Sequence, residues 1–410
     1  MTRSSTLTAK HITARPEPLP HSPSAEHPTT PHHATTLPGN PGAARARRSW
    51  ATEGALLAAV AAPTAMGVSG PSLALPAVAE ALHATPSSAA WLMTAYGLGM
   101  AAGTPLLSAT AGRRGPRRLL LAGAALIVLG VLIVLATRSL PVLVIGRTVE
   151  AAGAAGLNIA AFQLAGRPTR GDGGPDPRRA GRIAGLVSIG SAAGGTTGLF
   201  AGAVIAQAVH WQLTLVLPLL GLLAIPAVLR LAGPPAATPA QRSGLLPRDV
   251  LRERPFRRAA ALMLAVSTVN FALVYAAPRR IAALTGWSQV HTGAVAAVTA
   301  LAGALLSWTL IRSAPALGRR RTDTLIAAGS LVATALAAFG PWAAVVVLGS
   351  SLSALVTSAG QAVLNGAAAE GLPPERHGPA IGLFNLAFLL GVAAGPALAS
   401  LAYQTVQFIY

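Results

Sequence analysis

The run Arg113-Arg114-Gly115-Pro116-Arg117-Arg118 is followed by eighteen residues, LLLAGAALIVLGVLIVLA over 119–136, that carry no charge at all. About 20 apolar residues in a helix cross the ~30 Å hydrocarbon layer of a bilayer. No water is available there, so a single span has to close its own backbone hydrogen bonds as a helix. An arginine burst at the end of such a run is what a loop at the membrane surface carries. This junction places the chain among multi-span helical membrane proteins, and the rest of the sequence repeats it.

Outward from it, eleven apolar segments follow one another, at about 54–78, 88–110, 118–137, 140–165, 182–207, 211–232, 259–278, 291–312, 323–340, 342–366 and 378–405. Composition agrees: 52% of the 410 residues are hydrophobic and only 10% charged. Soluble domains carry about 25% charged residues, which excludes them here. Frequent internal Gly and Ala suit close helix packing in lipid. The fold class expected is therefore an all-α membrane protein.

A net charge of +19 raises nucleic acid as a partner, but the positions of the charges exclude it. Nucleic-acid binders gather basic residues on one face, often with interleaved aromatics. Here they fall in bursts between apolar runs, and aromatics are 4% of the chain. With the N-terminus inside, alternate loops collect Arg113, Arg114, Arg117 and Arg118, then Arg167, Arg170, Arg178, Arg179 and Arg182. Arg242, Arg248, Arg252, Arg254, Arg257 and Arg258 follow in the central loop, and Arg319, Arg320 and Arg321 in the fourth. The opposite loops hold only Arg138, Arg279 and Arg280, so the positive-inside rule predicts a cytoplasmic N-terminus.

Residues 1–50 read as a disordered cytoplasmic tail, too polar to offset ordering entropy. His21, His27, His32 and His33 belong to that low-complexity stretch rather than to a metal site. The chain has no cysteine, which removes disulfides and thiolate chemistry. Gly171-Asp172-Gly173-Gly174-Pro175 lacks the lysine and spacing of a phosphate loop, so ATP-driven transport is not expected. No cofactor or metal is implied, and no Ser/His/Asp set lies at membrane depth, so an enzyme is not expected.

The chain also repeats itself. Gly112-Arg113-Arg114 matches Gly318-Arg319-Arg320 at an offset of 206, and Gly190-Ser191-Ala192-Ala193-Gly194 matches Gly391-Val392-Ala393-Ala394-Gly395 at 201. Two such halves joined by a basic loop are a transporter architecture. The expected division is an N-terminal six-helix half over 51–232, a basic cytoplasmic linker over 233–258, and a C-terminal half of five helices over 259–410. By the repeat, a twelfth span would begin past Tyr410, so the chain reads either as naturally eleven-span or as truncated.

Over about 54–405 the sequence resembles the major facilitator superfamily, and within it the bacterial drug/proton antiporters. Leu75-Pro76 and Trp91-Leu92-Met93-Thr94-Ala95-Tyr96 resemble that group's first two helices. Ser108 to Arg118 resembles its loop motif G-x-L-A-D-R-x-G-R-R, with Ser108 for the first glycine and Gly112 for the acid. Arg147-Thr148-Val149-Glu150-Ala151-Ala152-Gly153 resembles the fourth-helix pattern R-x-x-Q-G-x-G, with Glu150 for the glutamine and Ala151 for the glycine. Gly190 to Gly198 resembles the antiporter motif G-x-x-x-G-P-x-x-G, with Gly195 for the proline, and Gly391 to Pro396 repeats it with the proline kept. The acid that many of these antiporters carry on the first helix aligns with Gly67. The resemblance implies a cytoplasmic gate loop at Arg113, Arg114, Gly115, Arg117 and Arg118. It also implies a substrate path lined by helices one, four, seven and ten.

Glu150 is the one acid inside the expected hydrocarbon region, and Arg147 lies one turn before it on the same face. Each charge near the bilayer centre costs about 2.5–3.5 kcal/mol on insertion scales, so such a pair marks a functional site by default. Glu150 is expected to carry the coupling proton with Arg147 setting its proton affinity; the alternative is a permanent structural ion pair. Asn158 returns to the same stripe and is expected to face a central cavity. Ser267, Asn270 and Tyr275 on the seventh segment, and Thr357, Gln361 and Asn365 on the tenth, are the further cavity residues expected. Their alternative role is interhelical hydrogen bonding, worth about 0.6 kcal/mol each. Gly190, Gly194 and Gly198 recur every four residues and permit close helix approach, while an antiporter hinge at these and at Gly391 and Gly395 rests on the resemblance.

The function expected is a secondary transporter of a bacterial inner (plasma) membrane. It would export lipophilic drug-like or antibiotic molecules in exchange for protons, thereby conferring antibiotic resistance. Its partners are a small-molecule substrate, protons and the lipid bilayer, and a monomer is expected. The alternatives are an uptake or facilitative carrier, or an inactive or regulatory membrane protein derived from a transporter.

Overall fold

In the computed structural model, which describes residues 41–165, 177–231 and 248–409, every regular element among the described residues is helical. The order is α1 (Pro41–Ser69), a 3-10 turn (Gly70–Leu73), α2 (Leu75–Ala81), α3 (Pro86–Ala136), α4 (Leu140–Ala165) and α5 (Pro177–Ala208). A 3-10 stretch (Trp211–Ala224) then runs into α6 (Ile225–Leu231). After the linker come α7 (Arg248–Arg252), α8 (Arg254–Thr285), α9 (Gln289–Leu317), α10 (Arg319–Phe339), α11 (Ala343–Ala369) and α12 (Pro374–Ile409). Residues 45–410 form one compact unit.

Ten helices among the described residues are long and apolar enough to cross a membrane. The eleventh expected segment, 88–110, is helical as well but is not among them. Glycines, Tyr96, Thr104 and Pro105 dilute its hydropathy. It needs less apolar surface because Ala89, Ala90, Leu92, Met93, Ala95 and Tyr96 are buried against other helices instead of lipid. As a straight rod, the 51 residues of α3 would be about 76 Å long, over twice the hydrocarbon thickness. Gly115 divides it, at φ 73°, ψ 163°, a region essentially restricted to glycine, and Pro116 starts the second arm.

Gly318, between α9 and α10, adopts φ 73°, ψ 162°, the same conformation. The structural repeat therefore pairs Gly115 with Gly318, an offset of 203, and corrects the 206 expected from Gly112. The arginine bursts slid the sequence match by three residues, whereas the backbone break needs a glycine at one position. Two further boundaries move. Helix α1 begins at Pro41, inside the segment 1–50 expected to be disordered, and the linker gives way to helix at Arg248 and again at Arg254, before residue 259. Charged residues at a membrane surface are solvated without leaving the helix, so hydropathy alone ended those segments too early.

Small residues set the helix seams. A Cβ at Gly190, Gly194, Gly198 or Gly202 would meet Ala58, Ala62, Met66 and Gly70 respectively, so four glycines of α5 lie along three positions of α1 and the first of the 3-10 turn, at the same spacing. In the second half Gly391 and Gly395 of α12 meet Leu264, Ser267 and Thr268 of α8. Gly123 and Gly130 on the second arm of α3 oppose Gly153, Gly146 and Glu150 on α4. These approaches bring backbones into contact, which is how lipid-embedded helices associate without a hydrophobic drive.

Candidate functional site

Helix α4 carries Arg147 and Glu150 near its middle, Glu150 about 15 Å along the axis from Leu140. Both side chains are fully buried. Arg147 Nη1 donates to Glu150 Oε2 at 2.6 Å and to the Leu215 carbonyl at 2.8 Å. Its Nη2 donates to the carbonyl of Gly67 on α1. The guanidinium lies over the Tyr96 ring, 4.2 Å from its centroid.

Prolines supply those carbonyls. The α-helical partner of the Gly67 carbonyl would be the N–H of residue 71, and the 3-10 partner of Leu215 that of residue 218; both are proline and have none. Two backbone acceptors are thereby left for one cation inside the first half. Glu150 Oε1 is buried without a hydrogen-bond partner. A Cβ at Gly67 would lie 2.4 Å from the Tyr96 hydroxyl, so no larger side chain fits there without displacing Tyr96.

The polar stripe of α4 continues away from the pair. Tyr96 donates through its hydroxyl to the Thr64 carbonyl at 2.9 Å, and Asn158 Nδ2 donates to Thr64 Oγ1 at 2.8 Å. Arg147, Glu150 and Asn158 do share a face, as expected. On that face α1, α3 and the 211–224 stretch cover the ion pair, and the half-buried Asn158 bonds to α1.

The expected cavity residues of the second half make the following contacts. Ser267 is buried, donates to the Met263 carbonyl at 2.7 Å and packs against Gly391, so it belongs to the α8–α12 seam. Asn270 accepts from Ser353 Oγ of α11 at 3.3 Å. Thr357 Oγ1 and Asn365 Oδ1, on α11, are buried without hydrogen-bond partners, and Gln361 between them is half-buried. Tyr275 is buried at the other end of α8, donates to the Pro86 carbonyl of the first half at 3.5 Å, and carries Arg279 over its ring at 3.9 Å.

Arg279 Nη2 in turn donates to the Ser72 carbonyl at 3.0 Å, so hydrogen bonds join the halves at this arginine-poor end. At the arginine-rich end, the pairs Arg179–Glu53, Arg319–Glu370, Arg319–Asp323 and Arg376–Asp249 each stay within one half. In the gate loop Arg117 and Arg118 are exposed, and Gly115 is the break in α3. The side chains of Arg113 and Arg114 lie outside the described residues, as do the tail histidines and the 171–175 glycine loop.

Sequence reasoning missed Thr64, Tyr96 and the carbonyls of Gly67 and Leu215, and it took Arg279 for an ordinary loop residue. Pro71 and Pro218 were the available signal, since a proline inside an apolar helix leaves a carbonyl unclaimed upstream.

The helices thus show a repeated break at Gly115 and Gly318 and a buried Arg147–Glu150 pair. Residues 55–396 match the profile of the Major Facilitator Superfamily, and the chain belongs to that family. It is thus a multi-pass membrane transporter of small molecules, not an enzyme. Two solved structures of a bacterial homolog to human lysosomal transporter, Spinster, are similar in fold. The inward-facing and occupied form has a TM-score of 0.63 at 17% identity, covering 85% of this chain and 81% of that one. The inward-facing and unoccupied form has a TM-score of 0.62 at the same identity and coverage.

Proposed function

We propose that this transporter exports a small lipophilic molecule, drug-like or antibiotic, in exchange for protons, with Glu150 carrying the proton. It does so as a monomer in a bacterial plasma membrane with the N-terminus inside. The observation that carries this reading is the contact of Arg147 with the Gly67 carbonyl. Gly67 aligns with the position where many of the antiporters that this sequence resembles carry an acid on the first helix. Here that acid is lost and a carboxylate enters from α4 within reach of the same arginine. A carboxyl group has thus changed helix while keeping its neighbourhood. The unpartnered Oε1 of Glu150 offers a lone pair for a proton, and the neutral acid costs less to bury than the ion.

The test is transport in reconstituted vesicles under an imposed pH gradient, screening lipophilic compounds for coupled proton movement in wild type and Glu150→Gln. Loss of proton movement in a folded variant supports the reading; full proton-driven transport by Glu150→Gln ends it. A permanent structural ion pair is the second reading, favoured by complete burial of both side chains inside one half. It predicts that Glu150→Gln loses stability while any residual transport stays proton-coupled.

A further inference from the structure

At the arginine-poor end, a cavity of about 210 Å³ lies between the two halves. Ser72 and Pro76 of the first half line it, facing Pro278, Arg279, Gln289 and Thr292 of the second. Arg279 is the charged group of this lining. Its guanidinium is held by the Tyr275 ring, the Tyr275 carbonyl and the Ser72 carbonyl, among other contacts. Ser72 is fully buried and its hydroxyl has no hydrogen-bond partner, although it borders the cavity. Gln289 brings an amide to the same wall.

A preorganised cation, a spare buried hydroxyl and an amide around a small space are the chemistry of oxyanion recognition. We propose that this cavity is an oxyanion site that takes a small carboxylate or phosphate group, free or on a lipid headgroup. Because Arg279 also reaches across to Ser72, the site exists only while this end of the transporter is closed. An anion bound there selects the closed arrangement, by the amount of its differential affinity for the two states. Opening withdraws Ser72 from Arg279 and dismantles the site. The ion pair on α4 takes no part in it, so binding here and proton coupling succeed or fail separately.

The experiment uses the full chain in neutral detergent and in phosphatidylcholine vesicles, titrating inorganic phosphate or benzoate against ionic-strength-matched chloride and reading the thermal midpoint. The expected result is a saturable rise with the oxyanions beyond that of chloride. Arg279→Gln should weaken the apparent affinity by about tenfold or more, in line with a lost hydrogen bond to a charged group. Should Arg279→Gln fail to fold, Ser72→Leu, which fills the cavity, and Gln289→Ala, which removes the amide, are read in its place. Vesicles containing phosphatidylglycerol separate the sources. A rise with that lipid alone, lost in the variants and not increased by free phosphate, assigns the site to a lipid phosphodiester. No saturable effect from either source, or equal effects in wild type and folded variants, overturns the proposal.

Discussion

An alanine at Gly194 is expected to force α1 and α5 apart, while an alanine at the adjacent Gly195 is expected to be harmless. The Cβ at residue 194 would stand 2.0 Å from the Ala62 carbonyl oxygen and 2.6 Å from its carbon, with ordinary contact beginning at 3.4 Å. That leaves α1 about 1.4 Å too close, and the obstruction is backbone, which cannot swing aside as a side chain does. Overpacking of this kind costs about 1–3 kcal/mol, set against a gain of up to about 1 kcal/mol for replacing glycine in a helix. A Cβ at residue 195 meets nothing within 4 Å, so that variant keeps the gain alone. Retreat of α1 also strains the bond from Ser69 Oγ to the Gly195 carbonyl, 2.5 Å long. The two variants should therefore differ by about 1–3 kcal/mol, seen as Gly194→Ala melting a few degrees lower in detergent. Equal melting temperatures would refute the packing account and return the glycine motif to a hinge role.

Three further outcomes follow from the geometry. Tyr96→Phe keeps the ring beneath Arg147 and loses only the bond to Thr64, so it should cost about 1 kcal/mol; Tyr96→Leu should cost about 2 kcal/mol more, both read by thermal or denaturant unfolding. Gly318→Ala places a side chain at φ 73°, ψ 162°, a conformation nearly reserved for glycine, and should destabilise by about 1–3 kcal/mol, with Gly366→Ala, open on all sides, as the control on the same unfolding scale. Arg147→Lys retains the charge but cannot fork to Glu150, Leu215 and Gly67 together, so it should lose about 1.5–3 kcal/mol for each bond left unmade. A lysine variant as stable as wild type would show that the fork does not hold the first half together.

The candidate site was partly legible in the sequence. One acid in the interior of the apolar segments, one helical turn from an arginine, identified the Arg147–Glu150 pair, because charges in hydrocarbon are too costly to occur without cause. What that face looked at was another matter. The stripe did not show that Asn158 donates to Thr64 or that Ser267 packs beside Gly391. A helical stripe states which residues lie together on one helix. It does not state which neighbouring helix covers them.

The sequence by itself determined the all-helical membrane class, nearly all of the spans, the duplication and the ionisable pair. These follow from hydropathy, from charge placement and from the prohibition on unpaired backbone in lipid, and all are properties of a segment or of one helix. Tertiary structure alone decided the register of the repeat at Gly115 and Gly318, the partners of Arg147, and the bridge from Arg279 to Ser72. Each depends on residues distant in sequence meeting across a helix seam. The close approach of those seams rests on glycines whose effect is felt only by the opposing backbone.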